Sequence, residues 1–211
     1  NTNGTINTQK DDTYKFVKSI INQDNLPYDI GDCYCMEEDM NGAIWIGLSN
    51  GLFVANKPEN IFSSDYQFTQ IKIARNDGSG LADYLLNGVN VTCIAVDGAN
   101  RKWIGTGGSG VYLVSADGQE ELHHFTKDDS PLISDNINDI EIDGATGEVF
   151  FATDAGLCSY LSDAVDAEDA LSANNIKVYP NPIRPESRQL VRVTGLAYST
   201  NVQIANAAGR L

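Results

Sequence analysis

Three stretches of the chain alternate short apolar runs with clusters of Asp, Asn and Gly. They run from Cys33 to Phe53, from Val91 to Tyr112 and from Ile137 to Cys158. Asp, Asn and Gly supply the positive φ that tight hairpins need, and they separate apolar runs of strand length. Each stretch is therefore predicted to form an antiparallel meander of strand, Asp-Gly-type turn, aromatic strand, glycine turn and strand.

A further strand is predicted after each of the first two meanders, over Tyr66–Ile73 and Glu121–Phe125. Each unit would then have four strands. Trp45, Trp103 and Phe150 occupy the same position in the three units, at intervals near the ~40 to 50 residues of a propeller blade, with an insertion in the first interval. Since a blade cannot cover both of its faces, we predict that these aromatics pack between blades and do not stack on a ligand.

These patterns predict an all-β fold in which residues 1–160 form a partial β-propeller of three four-stranded blades. The repeats lie near residues 30–54, 89–114 and 137–160. Propellers close with about 4 to 8 blades, so three blades leave two apolar flanks open. We therefore expect the remaining blades to come from sequence outside this chain or from a second chain.

The last part of the sequence changes character. Residues 161–174 are acidic and Ala-rich, which is typical of a linker, a short exposed helix or an ordinary solvated loop. In residues 175–211, the alternation at Leu190–Thr194 and Val202–Ile204 predicts half-buried strands, and Pro180, Pro182 and Pro185 keep the backbone between them extended. This segment is predicted to begin a small β-sandwich.

Charge excludes several classes of partner. The chain has 14 basic and 29 acidic residues and a net charge of −15, which repels nucleic acid and anionic membrane surfaces. No apolar run reaches the ~18 to 20 residues of a transmembrane segment. The chain begins at Asn1 without an export signal, so we expect a mature product whose signal has been removed.

The cysteines do not have a metal-binding spacing. Cys33, Cys35, Cys93 and Cys158 lack paired C-x-x-C motifs and are expected to be small buried hydrophobes with free thiols. Cys35 and Cys93 occupy the same position in successive units, which raises the possibility of a disulfide. Equivalent points on neighbouring blades are usually farther apart than the ~7 Å between Cα atoms that a disulfide spans.

No group of residues points to catalysis or to a cofactor. His123 and His124 are adjacent on a strand, so they face opposite sides and cannot chelate one ion. Asp39, Asp97 and Asp143 recur in every unit and would form an acidic ring around a channel, but a role in accepting backbone hydrogen bonds at the turn is favoured.

One loop, Asn76–Asp83, has oxygen ligands at loosely calcium-like spacing but lacks the full calcium-loop pattern, so a flexible insertion is favoured. A propeller lyase or glycosidase would need clustered carboxylates with Arg, Tyr or His, and none is evident in the sequence. We predict a protein that is not an enzyme and has no metal or cofactor.

Particular motifs resemble known families. Asn41-Gly-Ala-Ile-Trp-Ile-Gly47 and Lys102-Trp-Ile-Gly-Thr106, with the linking segments Asp24–Pro27 and Ser130–Asn136, resemble two-component-regulator propeller repeats. The third unit departs, with Phe-Phe-Ala in place of Trp-Ile-Gly. The motif Val178, Tyr179, Pro180, Asn181, Pro182, followed by a strand ending in Gly-Leu and by Ala-Gly-Arg-Leu, resembles the C-terminal sorting domain of type IX secretion.

The two motifs together resemble the PorZ-like components of the type IX secretion machinery. The resemblance implies a non-catalytic binding scaffold, exported to the periplasm or outer-membrane surface of a Gram-negative bacterium. It implies contacts with cargo, other proteins, glycan or lipopolysaccharide. The alternative is the ligand-sensing periplasmic propeller of a hybrid two-component receptor, because such receptors carry the same repeats but continue into a different sandwich and a transmembrane helix.

Overall fold

The computed structural model describes residues 7–11, 14–75, 78–167, 172, 174–179, 191–197 and 200–205. Within these residues the regular structure is all strand apart from two 3-10 turns, Gln9–Asp11 and Pro58–Asn60. The strands are β1 (Ser19–Ile21), β2 (Pro27–Asp29), β3 (Cys33–Glu38), β4 (Ile44–Leu48), β5 (Gly51–Ala55), β6 (Lys72–Ala74), β7 (Ala82–Tyr84), β8 (Val91–Val96), β9 (Lys102–Thr106), β10 (Val111–Val114), β11 (Glu121–Phe125), β12 (Ile137–Asp143), β13 (Glu148–Thr153), β14 (Gly156–Leu161), β15 (Lys177–Tyr179) and β16 (Arg192–Thr194).

Three antiparallel meanders form three blades of a partial propeller. The first blade consists of β3, β4 and β5, the second of β8 to β11 and the third of β12, β13 and β14, each paired in chain order. The predicted all-β partial propeller is therefore confirmed.

The inner hairpin of each blade turns at a left-handed residue, which is Gly42 (φ 79°), Asn100 (φ 60°) or Gly147 (φ 76°). Only Gly and, to a lesser degree, Asn adopt this conformation at low cost. The recurrence of Asp, Asn and Gly in the sequence is thus explained by the turn between the first two strands of each blade.

Apolar side chains fill the two spaces between blades. Trp45 lies between the first and second blades with Leu52 and Ile104, and Trp103 lies between the second and third blades. Phe150 is half-buried and belongs to neither cluster, because its neighbour on β13, Phe151, takes the face that packs on Trp103. The face of Phe150 is therefore the outer flank of the third blade.

The predicted fourth strands form to different extents. Glu121–Phe125 is a strand, as predicted. The predicted strand Tyr66–Ile73 is not continuous, because Thr69 pairs with Val54 on β5 by a single bridge and the chain then enters the β6–β7 hairpin. The third blade has three strands within the described residues. In the described part of the chain, the second blade is therefore the only blade with four regular strands.

The β1–β2 hairpin covers the other face of the first blade. Tyr28 on β2 meets Phe53 edge to face, with 5.2 Å between ring centroids. Ile20 on β1 joins the same buried cluster as Leu48 and Phe68. This flank of the first blade is consequently part of a core, unlike the outer flank of the third blade.

Residues 162–167, here called the strap, follow β14 and pack against the turns of the second and third blades. The Ser162 amide donates to the Gly147 carbonyl (2.9 Å), and the Asp166 amide donates to the Gly144 carbonyl (2.8 Å). A Cβ on Gly98 would collide with the Val165 carbonyl, so glycine permits this close approach. The strap is neither an exposed helix nor a solvated linker, because these contacts fix its backbone.

The C-terminal part contains the hairpin β15–β16. Val178 and Tyr179 lie on β15 and are partly exposed, whereas Pro180, Asn181 and Pro182 lie outside the described residues, as do Pro185 and Leu190. At the predicted strand Val202–Ile204, residues 201–205 have no partner strand in the described part of the chain and are exposed, so this strand stays a prediction. No helix in the described residues is long and apolar enough to span a membrane.

Candidate functional site at the blade turns

Asp39 closes the inner turn of the first blade. Its Oδ1 accepts hydrogen bonds from the backbone amides of Asn41 (2.9 Å) and Ala43 (3.1 Å). Its Oδ2 accepts a hydrogen bond from Trp45 Nε1 at 3.1 Å. One carboxylate therefore fixes both the turn and the orientation of the indole that packs against the next blade.

Lys102 of the second blade reaches the same carboxylate. Its Nζ lies 3.0 Å from Asp39 Oδ2, and its side chain is fully buried. The ammonium also donates to the carbonyls of Asn100 (2.9 Å) and Ala116 (2.6 Å) and lies 4.6 Å from the centroid of the Trp45 ring. All three ammonium donors have acceptors, which is what a buried lysine requires.

The protonation states of this pair follow from burial and hydrogen bonding. Burial raises the pKa of Asp39, but the hydrogen bonds from Lys102, Trp45 and the turn amides outweigh it, so the pKa of Asp39 lies below its ordinary value. Burial lowers the pKa of Lys102 more than Asp39 raises it. Asp39 is consequently ionised at neutral pH and serves as an acceptor only.

Asp97 repeats the arrangement in the second blade. It accepts from the amides of Ala99 and Arg101, both at 3.0 Å, and from Trp103 Nε1 at 3.3 Å. The cation here is Arg101 of the same blade, whose Nε lies 2.7 Å from Asp97 Oδ2. The neighbouring blade therefore does not have to supply the cation at this interface.

Arg101 also connects the second blade to the strap. Its Nη1 lies 2.7 Å from an Asp163 carboxylate oxygen, and its Nη2 donates to Ser162 Oγ at 3.0 Å. Burial lowers the pKa of Arg101, but Asp97 and Asp163 outweigh it and the pKa rises. Arg192 of β16 donates to the Ser162 carbonyl at 2.9 Å, so two arginines hold the strap.

Asp143 is the simplest of the three aspartates. It accepts from the Ala145 amide (3.1 Å) and from Thr146 Oγ1 (2.7 Å) and is exposed. Phe150 stands where the other blades have Trp and has no N–H to donate. All three aspartates thus hold turns, which is the role that the sequence favoured over a channel-lining acidic ring.

A cleft of about 510 Å³ lies beside Asp39, between the first and second blades. Trp45 and Ile71 contribute apolar surface, and the other walls are mostly polar. Its uncharged hydrogen-bonding side chains are those of Gln23, Asn41, Asn56, Thr69, Gln70 and Gln119. A recess of this size is suited to a small polar ligand or to a side chain of a partner.

The cysteines are free thiols, but Cys33 is exposed and only Cys93 is fully buried, so the expectation that all four are buried is wrong. Burial raises the pKa of Cys35 to about 12 and that of Cys93 to about 11. Cys35 lies directly over Gly47 and Cys93 over Gly105, where a side chain would collide with the sulfur. Both thiols are therefore protonated packing groups between blades.

The histidines and the long loop are engaged in local contacts. The His124 ring stacks on Tyr112 with 3.9 Å between centroids, and its Nε2 lies 2.7 Å from the Ser109 carbonyl. Asp83 in the loop forms an ion pair with Arg75, whereas Asn76 and Asp77 lie outside the described residues. Within the described residues no three His, Cys, Asp or Glu side chains are grouped to hold a metal ion.

Sequence reasoning missed Lys102 and Arg101 as the cations of these turns. The available signal was a lysine in the apolar run Lys102–Thr106, at the position where the first blade has Ile44 and the third has Val149. A charge inside a buried strand needs a partner.

The chain is similar to a known component of a bacterial secretion system. No protein-family model and no curated relative matches the chain. PorZ of Porphyromonas gingivalis, described as an essential bacterial surface component of the type IX secretion system, is 31% identical with a TM-score of 0.72. The match covers 100% of this chain and 28% of PorZ. The chain resembles PorZ in both sequence and fold.

Two further likenesses are weaker. The extracellular domain of a hybrid two-component system from Bacteroides thetaiotaomicron is 26% identical to this chain, with a TM-score of 0.46. The match covers 76% of this chain and 22% of that domain. The extracellular domain of a one-component system from the same bacterium is 14% identical over 74% of the chain, which covers 25% of that domain, with a TM-score of 0.34. Both TM-scores are lower than that of the PorZ match.

Proposed function

We propose that the chain is part of a non-catalytic, extracytoplasmic binding scaffold that serves a type IX secretion machine at the bacterial surface. The observation that carries the proposal is the match to PorZ, which extends along the whole chain at 31% identity. The chain spans 28% of the PorZ length. An activity and partners like those of the whole PorZ protein are therefore proposed for this chain and not established by the match.

The use of the buried charges supports a scaffold. Asp39 and Lys102 neutralise each other between two blades, and Asp97 and Arg101 do so between a blade and the strap. Catalytic sites usually keep a perturbed group free to meet substrate. Here the buried charged groups have structural partners, so they hold the blades in place.

The proposed organisation has two parts. Residues 1–160 contribute propeller blades, joined through residues 161–174 to a sorting domain that begins within residues 175–211. The motif Val178–Pro182 marks that domain, and the β15–β16 hairpin supplies its first strands. Trp45 and Trp103 act as blade-packing aromatics between the described blades, and Phe150 has the same role on the outer flank of the third blade, towards a further blade.

We infer that the scaffold contacts protein partners, and that the cleft beside Asp39 takes part in this contact. Its amide side chains can donate and accept hydrogen bonds in several directions. A glycan or the sugar part of a lipopolysaccharide has matching groups, so carbohydrate remains the second partner class within the same proposal.

The test is deletion of the encoding gene in its own bacterium, followed by fractionation. Proteins that carry type IX sorting domains should accumulate in the periplasm and return to the surface when the full-length gene is restored. Gln119→Arg, which places a charge in the cleft, should restore secretion less well. Glu120→Gln changes the charge by the same amount next to the cleft and should restore it fully.

Normal surface display of cargo in the deletion strain would overturn the proposal. If the same strain instead lost a transcriptional response to an external nutrient, the sensor of a hybrid two-component receptor would be the better assignment. Equal restoration by Gln119→Arg and Glu120→Gln would leave the scaffold in place and exclude the cleft as its contact.

A further inference from the structure

One arginine fills the space between the turns of the second blade and the strap of the third. Arg101 Nε lies 2.7 Å from Asp97 Oδ2, and its Nη1 lies 2.7 Å from an Asp163 oxygen. Its Nη2 donates to Ser162 Oγ at 3.0 Å. A single guanidinium therefore joins the carboxylate of a blade turn to a carboxylate that follows the last strand of the next blade.

The same two carboxylate positions exist between the first and second blades. Asp39 corresponds to Asp97, because each lies six residues before its tryptophan and accepts a hydrogen bond from the indole N–H. Asp117 corresponds to Asp163, because each lies at the same distance along the chain from the residue that pairs with the aromatic of the middle strand. Both interfaces thus provide a turn carboxylate and a carboxylate from the next blade.

Ala43 stands where the second blade has Arg101. The backbone amide of Ala43 donates to Asp39 at 3.1 Å, as the amide of Arg101 donates to Asp97 at 3.0 Å. Alanine is too short to fill the space that the arginine takes, and Ala43 lines the cleft of about 510 Å³ beside Asp39. The cleft therefore corresponds in position to the space that the Arg101 side chain fills in the next interface.

Asp117 lines this cleft and forms no ion pair with another described residue. Its Oδ1 accepts hydrogen bonds from Ser115 Oγ (2.7 Å) and from the Gln119 amide (3.1 Å). The bond from Ser115, followed by that from Gln119, holds the pKa of Asp117 below its ordinary value, with a smaller contribution from the charge of Lys102. Asp117 is consequently ionised at neutral pH.

The other charged groups around the cleft are already paired. Lys102 lies 3.0 Å from Asp39, and Lys72 in the cleft wall lies 2.8 Å from Asp24. Among the described residues that line the cleft, Asp117 is the charged group without an ion-pair partner. The cleft thus has room for one more cation, at the position where the next interface has a guanidinium.

The rest of the cleft wall suits the remainder of an arginine side chain. Trp45 and Ile71 provide apolar surface for the methylene groups. The amide oxygens of Asn41 and Gln119 can accept the guanidinium donors that Asp117 does not take. Among the described lining residues the aromatic ring is that of Trp45, which is 2% exposed, so a sugar ring has no aromatic face on which to stack.

We propose that the cleft beside Asp39 binds an arginine side chain of a protein partner, with Asp117 as its counter-ion. The inference rests on the proposed function, because it names the chemistry by which the scaffold contacts a partner. A guanidinium presents five donors in a planar fork, which a carboxylate and neighbouring amide oxygens can accept together. The net charge of −15 favours the approach of a basic segment.

The first experiment measures calorimetric binding of the peptide acetyl-Gly-Ser-Arg-Ser-Gly-amide to the full-length protein. The same peptide with citrulline, which has the shape of arginine without its charge, is the matched ligand control. The arginine peptide should bind about tenfold or more tightly, because hydrogen bonds to a charged group contribute at least that factor. Equal binding of the two peptides, or binding of neither, would overturn the proposal.

Asp117→Asn removes the charge and keeps an oxygen for the Ser115 hydroxyl and the Gln119 amide. Affinity for the arginine peptide should fall about tenfold or more, and affinity for the citrulline peptide should stay the same. Asp128→Asn changes the net charge equally at an exposed position of the same blade and should leave both affinities unchanged. Equal affinities of the two variants for the arginine peptide would exclude Asp117 as the counter-ion.

Ala43→Arg supplies the arginine from the chain itself and needs no ligand. Its side chain should pair with Asp117 as Arg101 pairs with Asp163, and it should abolish binding of the arginine peptide. The melting temperature of Ala43→Arg should exceed that of Ala43→Met, and the difference should vanish when both are combined with Asp117→Asn. A difference that persists without the Asp117 charge would contradict the proposal.

The peptide experiments test the cleft separately from secretion. If the deletion strain secretes normally but the arginine peptide still binds through Asp117, the secretion role is overturned and the arginine site is retained. If the bacterium's own lipopolysaccharide binds, Ala43→Arg blocks it and the arginine peptide does not bind, the cleft is a carbohydrate site and the proposal is overturned.

Discussion

The Lys102 ammonium lies 3.0 Å from the Asp39 carboxylate, and the two residues belong to neighbouring blades. Both side chains are buried, so each charge depends on the other for compensation. A buried ion pair is not by itself strong evidence of stability, because desolvation offsets the Coulomb attraction. Its geometric effect is clearer: the pair ties the turn of one blade to the middle strand of the next.

Lys102→Met should destabilise the protein by about 3 to 5 kcal/mol, because it leaves the buried Asp39 carboxylate without its cation. Lys72→Met removes an exposed ion pair with Asp24 and should have little effect. Urea unfolding of the two variants checks this. If they unfold at the same urea concentration, the pair does not contribute as described.

Acid should weaken the blade contact through Asp39. Its folded-state pKa is lowered, so its contribution is complete above the ordinary aspartate value of about 3.9 and is lost as pH falls through the lower folded pKa. Asp39→Asn should be less stable at neutral pH and lose less stability between about pH 4 and pH 2. Thermal melts across this range test it, and parallel curves for the two proteins would contradict it.

Trp103→Phe should lower the free energy of unfolding by more than the loss of a hydrogen bond between two neutral groups would. It removes the indole N–H that donates to Asp97, and hydrogen bonds to charged groups contribute about 1.5 to 3 kcal/mol. Phe150→Trp, at the equivalent and half-buried position, is the matched reverse change and should be close to neutral. Calorimetric melting of both variants provides the measurement, and a larger loss for Phe150→Trp would contradict the assigned roles.

Alkylation should separate the cysteines into two groups. The thiolate is the reactive form, and burial raises the pKa of Cys35 to about 12 and that of Cys93 to about 11. Iodoacetamide at pH 8 should label the exposed Cys33 first and reach Cys35 and Cys93 only after unfolding. Mass spectrometry reads the sites directly. A mass two protons lower before reduction would show a disulfide instead.

Gly98→Ala should release the strap from the second blade. The added Cβ would collide with the Val165 carbonyl. Ala99, the next residue, is exposed, so Ala99→Ser should leave the strap in place. Hydrogen exchange of residues 162–167 should rise in the first variant and stay unchanged in the second. Unchanged exchange in Gly98→Ala would show that the strap does not depend on this contact.

Most of the blade architecture could be predicted from the sequence, because period-two alternation and Asp, Asn and Gly turns are local signals. Prediction from the sequence was weaker where tertiary contacts determine which residues form a strand and which strand they pair with. Tyr66–Ile73 has the pattern of a single strand, yet the β6–β7 hairpin takes up Lys72–Ala74. Val202–Ile204 alternates like a strand but has no partner strand in the described residues.

In the candidate site, too, the local contacts could be predicted from the sequence and the long-range contacts could not. The turn role of Asp39 follows from its place before the Asn-Gly pair, but its second partner, Lys102, is far away in sequence and comes from another blade. The strap was missed because an acidic, Ala-rich composition gives no sign that glycines on two blade turns leave space for its backbone. Such complementarity between distant backbones has no periodic signature.

The strap also determines how the protein would respond to tension. A pull on the β15–β16 hairpin would reach the strap through the Arg192 contact with Ser162. From there the load divides between Arg101 and the turn carbonyls of Gly144 and Gly147. Because Arg101 belongs to the second blade and Gly144 and Gly147 to the third, the strap couples the hairpin to two blades and not to β14 alone.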